Sequence, residues 1–257
     1  MSDPVPDPYA RLRAATPARI GLGRAGDAQP LAAQLAFQAA HSRARDAVHG
    51  AVDFDALAAA LAPEPVLCVR SCVESREQYL RRPDLGRRLR DVDLPLLQAQ
   101  RGNWDLALVV ADGLSAAAVM QQVLPLLQEL RQRLPGWKIA PIVFAAQARV
   151  ALGDEIGAAL GAKLVAVCIG ERPGLSVADS LGIYLTWDPR PGRTDAERNC
   201  ISNIHGAGLS HAQAADTLAW LLDEARSRRL TGVGLKLEHV QGVTSGIAPL
   251  PPGEGLG

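Results

Sequence analysis

Apolar residues fall into two kinds of run along this chain. Short unbroken runs bounded by Gly, Pro or polar clusters read as buried strands: residues 65–70, 104–112, 137–144 and 163–170. A fifth segment, 182–188, alternates and is expected at a sheet edge. Between these runs, apolar positions recur at helical spacing. Val119, Val123, Leu127, Leu130 and Leu134 define one face of a long helix that Ser115 caps and Pro125 is expected to kink. Ala215, Leu218, Leu222 and Ala225 do the same behind Ser210. A further helix is expected to start near Asp154, and another, capped by Thr194, to run to Arg198. Strands separated by helices predict an α/β fold: a Rossmann-like, largely parallel sheet with flanking helices.

A small helical domain is expected ahead of that sheet. Residues 30–49 have a helical pattern with Leu31, Leu35 and Ala39 on one face, and an acidic first turn opens a short second helix at Asp53. Ser71, after the first strand, reads as the N-cap of the next helix. The expected division is a Pro-rich extended arm (1–18), a helical domain (19–63), the sheet domain (64–236) and a flexible Gly- and Pro-rich tail (237–257).

Charge and composition narrow the classes of function. Lys+Arg and Asp+Glu are equal at 27 each in 257 residues, so no basic excess points to nucleic acid. Aromatics at 4% weaken a base-stacking platform. The longest apolar runs are strand-length, too short to span a membrane, and the Pro-rich start is not expected to act as a signal peptide. Four cysteines in a chain of this length fit reduced thiols.

Several clusters suggest chemistry and meet a plainer reading. Gly21–Gly26, GLGRAG, matches the dinucleotide fingerprint, but hardly any strand feeds it and the helix-start signal comes late. A hinge or a partner-contacting loop is the better expectation. His41 and His49 lack convergent ligands and read as solvated or interface residues. Cys68 and Cys72 lack the second pair that a zinc site needs. Six arginines between Glu74 and Arg90 read as a solvated face, or as a docking surface for an acidic partner. Cys200 and His205 have no evident orienting third group for a thiol hydrolase. Glu171 beside Arg172 reads most simply as half of a structural ion pair.

The densest polar stretch is 198–205, which packs Arg, Cys, Ser, His and two Asn into eight positions and is expected to be a ligand-facing turn. Before it, Gly170, Pro173 and Gly174 enforce a tight loop where a strand ends, the place where open α/β sheets bind ligands.

Together, IGERPGLSVADSLGIY (169–184), ERNCISNIHGAGL (197–209) and TPARIGLGRAG (16–26) resemble the small subunit of ethanolamine ammonia-lyase, over roughly residues 8 to 236. The resemblance implies a hetero-oligomer with a larger barrel subunit that holds ethanolamine. It also implies adenosylcobalamin at the interface and radical conversion of ethanolamine to acetaldehyde and ammonia. The family's cofactor-binding positions fall on Val150, Glu171 and Cys200, with no catalytic residue and no metal ligand in this chain. A cytoplasmic protein is implied; the short stretch before Asp7 leaves packaging in a bacterial microcompartment open. A nucleotide-binding oxidoreductase domain and a non-enzymatic scaffold are the alternatives.

Overall fold

A computed structural model describes residues 7–16 and 18–236; the first six residues and the expected tail, 237–257, lie outside the described residues. The chain runs through α1 (Ala10–Ala15), α2 (Leu31–His49), α3 (Phe54–Leu61), β1 (Val66–Arg70), α4 (Arg76–Arg81) and α5 (Leu94–Gln98). It continues through β2 (Trp104–Ala111), α6 (Ala116–Arg133), β3 (Ile142–Ala146), α7 (Leu152–Leu160) and β4 (Ala162–Gly170). It finishes with β5 (Leu181–Trp187), β6 (Arg198–Ile204) and α8 (His211–Arg228).

The six strands form one mixed sheet in the order β1-β3-β2-β4-β5-β6. β1 to β4 pair in parallel, and β5 and β6 are antiparallel additions, so the sheet is less parallel than the sequence suggests. Connection length explains the switch. A parallel return needs a crossover of a dozen residues or more, usually a helix. The β4–β5 link, 171–180, contains no helix, and the β5–β6 link has only the single 3₁₀ turn Asp195–Glu197. Both strands therefore turn straight back. β5 lies between β4 and β6 and is not the expected edge; β6 takes that place.

Helices cover both faces. Residues of α3, α6 and α8 pack on one face with Leu106, Phe144, Cys168 and Ile183. Those of α5 and α7 pack on the other with Val109, Val143 and Val167. The predicted α6 stripe is buried along its whole length, and the helix runs on through Pro125. Burying each such Val or Leu contributes about 1.5–3 kcal/mol. Ser115, Asp53 and Ser210 cap α6, α3 and α8 by accepting from Ala118, Ala56 and Gln213 N–H groups.

Five local expectations are corrected. Ser75, not Ser71, caps α4; the Ser71 hydroxyl donates to the Gln147 carbonyl instead. β3 starts five residues later than its apolar run, because Pro141 has no N–H to give a ladder. Thr194 caps only one 3₁₀ turn, and Arg198 already belongs to β6. The face of α2 carrying Leu31 and Leu35 is not buried in this chain, at 68% and 55% exposure. Only Ala40 and Ala47, both in the second half of α2, are buried. The expected extended arm contains the short helix α1.

Candidate functional site

Loops leaving β2, β3 and β4 meet at the carboxyl ends of the parallel strands and diverge, the first leading to α6 and the second to α7 on opposite faces. Between them lies a crevice of about 310 Å³ lined by Gly113, Leu114, Arg149, Val150, Glu171 and Tyr184, among others. This is where an open α/β sheet leaves room for a ligand. The approach of the loops depends on two glycines. Gly113 has φ +58°, and a Cβ on it would lie 2.3 Å from the Gly170 carbonyl oxygen. A Cβ on Gly170 would lie 2.2 Å from the Ser115 carbonyl oxygen.

Two of the three positions singled out from the sequence line this crevice, Val150 near the end of the β3–α7 link and Glu171 just past β4. Cys200 adjoins it. On β6, Cys200, exposed at its outer side, pairs in register with Tyr184, which lines the crevice. Partial burial pushes the Cys200 thiol up, and the Glu171 charge adds to this, against the neighbouring Tyr184 hydroxyl. The group therefore stands there as a neutral thiol. Cys168, inside the sheet, is pushed up to about 12 by burial alone. With a thiol reagent at neutral pH, Cys168 is expected to stay unlabelled in the folded chain while Cys200 reacts slowly, which peptide mass mapping would read. Fast labelling of Cys168 would contradict its burial.

Glu171 is not paired with Arg172: no such ion pair occurs among the described residues. Its Oε2 accepts from the Ser180 hydroxyl at 2.5 Å and from the Asn203 backbone N–H at 3.2 Å, while Oε1 makes no hydrogen bond among the described residues. The Glu171 N–H also donates to the Ser180 carbonyl. One oxygen fixes the loop and the other is left to accept.

The stretch 198–205 is an edge strand and its end, not the expected turn, and most of its polar groups have structural partners. Arg198 donates to both carboxylate oxygens of Asp154 at 2.7 Å, to Thr186 Oγ1 and to the Arg193 carbonyl. Asn199 holds the backbone of Gly232 and Leu235 on the other face. Asn203 takes φ +65°, and its side-chain oxygen bonds His205 Nε2 at 2.8 Å. His205 Nδ1 accepts from Ala207 N–H, so both ring nitrogens are engaged away from Cys200. A Cys–His nucleophile is therefore not assembled. The GLGRAG loop likewise has no strand before it among the described residues, and its first glycine is already engaged. The Tyr9 ring packs against Gly21, and Arg13 donates to the Ile20 and Gly21 carbonyls.

Sequence reasoning missed three crevice residues. Tyr79 lies within the arginine-rich segment that reads as solvated, yet it is fully buried and its hydroxyl donates to the Ala148 carbonyl. The guanidiniums of Arg76 and Arg149 both stack on the Tyr79 ring, 4.6 and 4.2 Å from its centroid. Tyr184 carried one faint signal, an inward-alternating aromatic in a segment otherwise read as an edge.

Fold and crevice together define a mixed α/β chain with an open crevice at the carboxyl ends of its parallel strands. A family model, Ethanolamine ammonia-lyase light chain (EutC), matches residues 6–236. The ethanolamine ammonia-lyase small subunit of Azotobacter vinelandii is 52% identical, covering 99% of this chain and 100% of its own. The small subunit of Pseudomonas syringae pv. tomato is 50% identical over 90% of this chain and 84% of its own. That of Xanthomonas campestris pv. campestris is 52% identical over 91% and 89%. The chain belongs to the ethanolamine ammonia-lyase light-chain family and is a subunit of a lyase. No helix among the described residues is long and apolar enough to cross a membrane.

Proposed function

We propose that this chain supplies one wall of an adenosylcobalamin site, completed by the large barrel subunit of the lyase, where ethanolamine is converted to acetaldehyde and ammonia. The observation that carries the reading is the convergence of Val150 and Glu171 on one crevice, with Cys200 beside it. At about 310 Å³ the crevice is at the small end of the roughly 300–1,000 Å³ of ligand pockets. It fits the edge of a corrinoid whose remainder another chain must cover.

The donor set suits such an edge. Val150 offers an apolar contact to the ring, and the protonated Cys200 thiol offers a second that carries no charge. Glu171 Oε1, without a partner among the described residues, accepts from a peripheral amide N–H. When bound, the coenzyme supplies the radical chemistry. The residues of this chain bind and orient it, and the covered crevice excludes water. Substrate contacts and proton transfers then fall to the large subunit, so the single chain is expected to be inactive.

The test is the affinity of adenosylcobalamin for the chain reconstituted with its large subunit, read by visible absorbance, beside the melting temperature of the chain alone. A charge-assisted hydrogen bond of about 1.5–3 kcal/mol predicts a loss of roughly ten- to hundredfold in Glu171→Ala. Glu171→Gln keeps an acceptor and should lose less. Wild-type affinity in Glu171→Ala would remove Glu171 from the site. Turnover of ethanolamine by the single chain with coenzyme would sink the divided-site reading.

A further inference from the structure

The crevice carries more positive charge than its walls neutralise. Arg149 and Arg172 both line it, and among the described residues neither has a carboxylate partner. Glu171 is the acidic group beside them, and its Oε2 is committed to Ser180 and Asn203. Arg149 is also held in place. Its guanidinium stacks 4.2 Å from the Tyr79 ring centroid, Nη2 donates to the Tyr79 carbonyl at 3.2 Å, and its own N–H donates to the Gly86 carbonyl. Its Nε is buried without any hydrogen-bond partner. Its Nη1 makes no hydrogen bond among the described residues and is not among the buried unpaired atoms, so this end of the fork is the one left to meet an acceptor in the crevice. Arg172 is exposed and follows Glu171 in the same loop, so its fork can reach toward the same opening.

Resting on the cobalamin reading above, we infer that Arg149 and Arg172 form an anion subsite that takes the phosphodiester of the corrinoid's nucleotide loop. The chemistry selects that group. The amides around a corrin are neutral, and the phosphodiester is the anionic group a cobalamin presents at its periphery. Guanidinium forks match phosphate oxygens in geometry and stay charged at every working pH. Arg149 is the preorganised member, and Arg172 closes from the solvent side. The corrinoid's ring edge and its phosphate are then read by neighbouring residues, Val150 and Glu171 for the first and Arg149 and Arg172 for the second.

The experiment compares cyanocobalamin with dicyanocobinamide, which lacks the nucleotide loop and its phosphate, by visible-absorbance titration of the complex of full chain and large subunit. Arg149→Met keeps an apolar stem on the Tyr79 ring while removing the charge; Arg172→Gln alters an exposed position. Arg149→Met is expected to weaken cyanocobalamin by about ten- to hundredfold and leave cobinamide unchanged, with a smaller loss of the same kind in Arg172→Gln. Equal losses for both corrinoids in Arg149→Met would mean that Arg149 only shapes the crevice, and would overturn the inference. So would unchanged affinity for both, or a loss confined to subunit assembly, which would give the arginines to a carboxylate of the partner. If the wild-type complex bound neither corrinoid, the cobalamin reading itself would fall, a result distinct from each of these.

Discussion

Asp154→Ala is expected to cost about 3–5 kcal/mol of folding free energy, the loss typical when a buried ion pair is left with one member. Both side chains of the Asp154–Arg198 pair are only 2% exposed, and the guanidinium meets both carboxylate oxygens at 2.7 Å. Removing the carboxylate leaves Arg198 with Thr186, the Arg193 carbonyl and the Asp195 carboxylate at 3.4 Å, which is 92% exposed and so compensates the buried charge only weakly. The double variant Asp154→Leu with Arg198→Met should cost clearly less than Asp154→Ala, because no lone charge stays buried. Denaturant unfolding of the three proteins checks this. A double variant as unstable as the single one would show that packing at α7 and β6, not the stranded charge, sets the loss. The pair also fixes β6 against α7, so Asp154→Ala should loosen Cys200 beside the crevice as well.

Gly170→Ala is expected to disrupt the crevice itself. The added Cβ would meet the carbonyl oxygens of Ser115 at 2.2 Å and Asp112 at 2.7 Å, both backbone atoms that cannot swing aside. The end of β4 must then move off the β2–α6 turn, at a cost of about 1–3 kcal/mol or more for overpacking. Corrinoid affinity should drop with it, since Val150, Glu171 and Tyr184 are set around that junction. Gly174→Ala in the same loop is the control: its nearest neighbour lies 3.5 Å away, and its stability should stay within about 0.5 kcal/mol of wild type. Melting and corrinoid titration of the two variants separate the cases. A Gly170→Ala protein that melts and binds like wild type would refute the close approach.

Periodicity carried the parts of this fold whose partners are local. The β2 run and the α6 stripe were legible because each is a repeating pattern sealed by its own turn and cap. Position 198 was not, because its partner Asp154 lies in another helix, and a dense polar stretch looks the same whether it faces a ligand or holds an edge strand in place. Asn199 was hidden for the same reason, its partners being the backbone at 232 and 235. Ser71 read as the cap of the next helix, but the Gln147 carbonyl, far along the chain, takes its hydroxyl, and Ser75 caps the helix instead. Of the crevice, Val150, Glu171 and Cys200 came from likeness to a family. Tyr79 and Arg149 remained invisible, since burial of a tyrosine against two arginines is set by tertiary packing. The α2 stripe was legible as a pattern, but a pattern does not say which molecule covers it.

The strand order also dictates a schedule during synthesis. Val66 of β1 pairs with Ile142 of β3, and β1 has no other strand beside it among the described residues. At about 5–20 residues per second, a ribosome needs roughly 4–15 s between making those two positions. Through that interval the nascent β1 waits with its ladder unmet. By contrast, β5 and β6 pair with the strand made just before them, each across a short link. The amino-terminal part of the sheet is therefore the segment most in need of chaperone cover, and slowing translation after β1 should lower the soluble yield more than slowing it after β4.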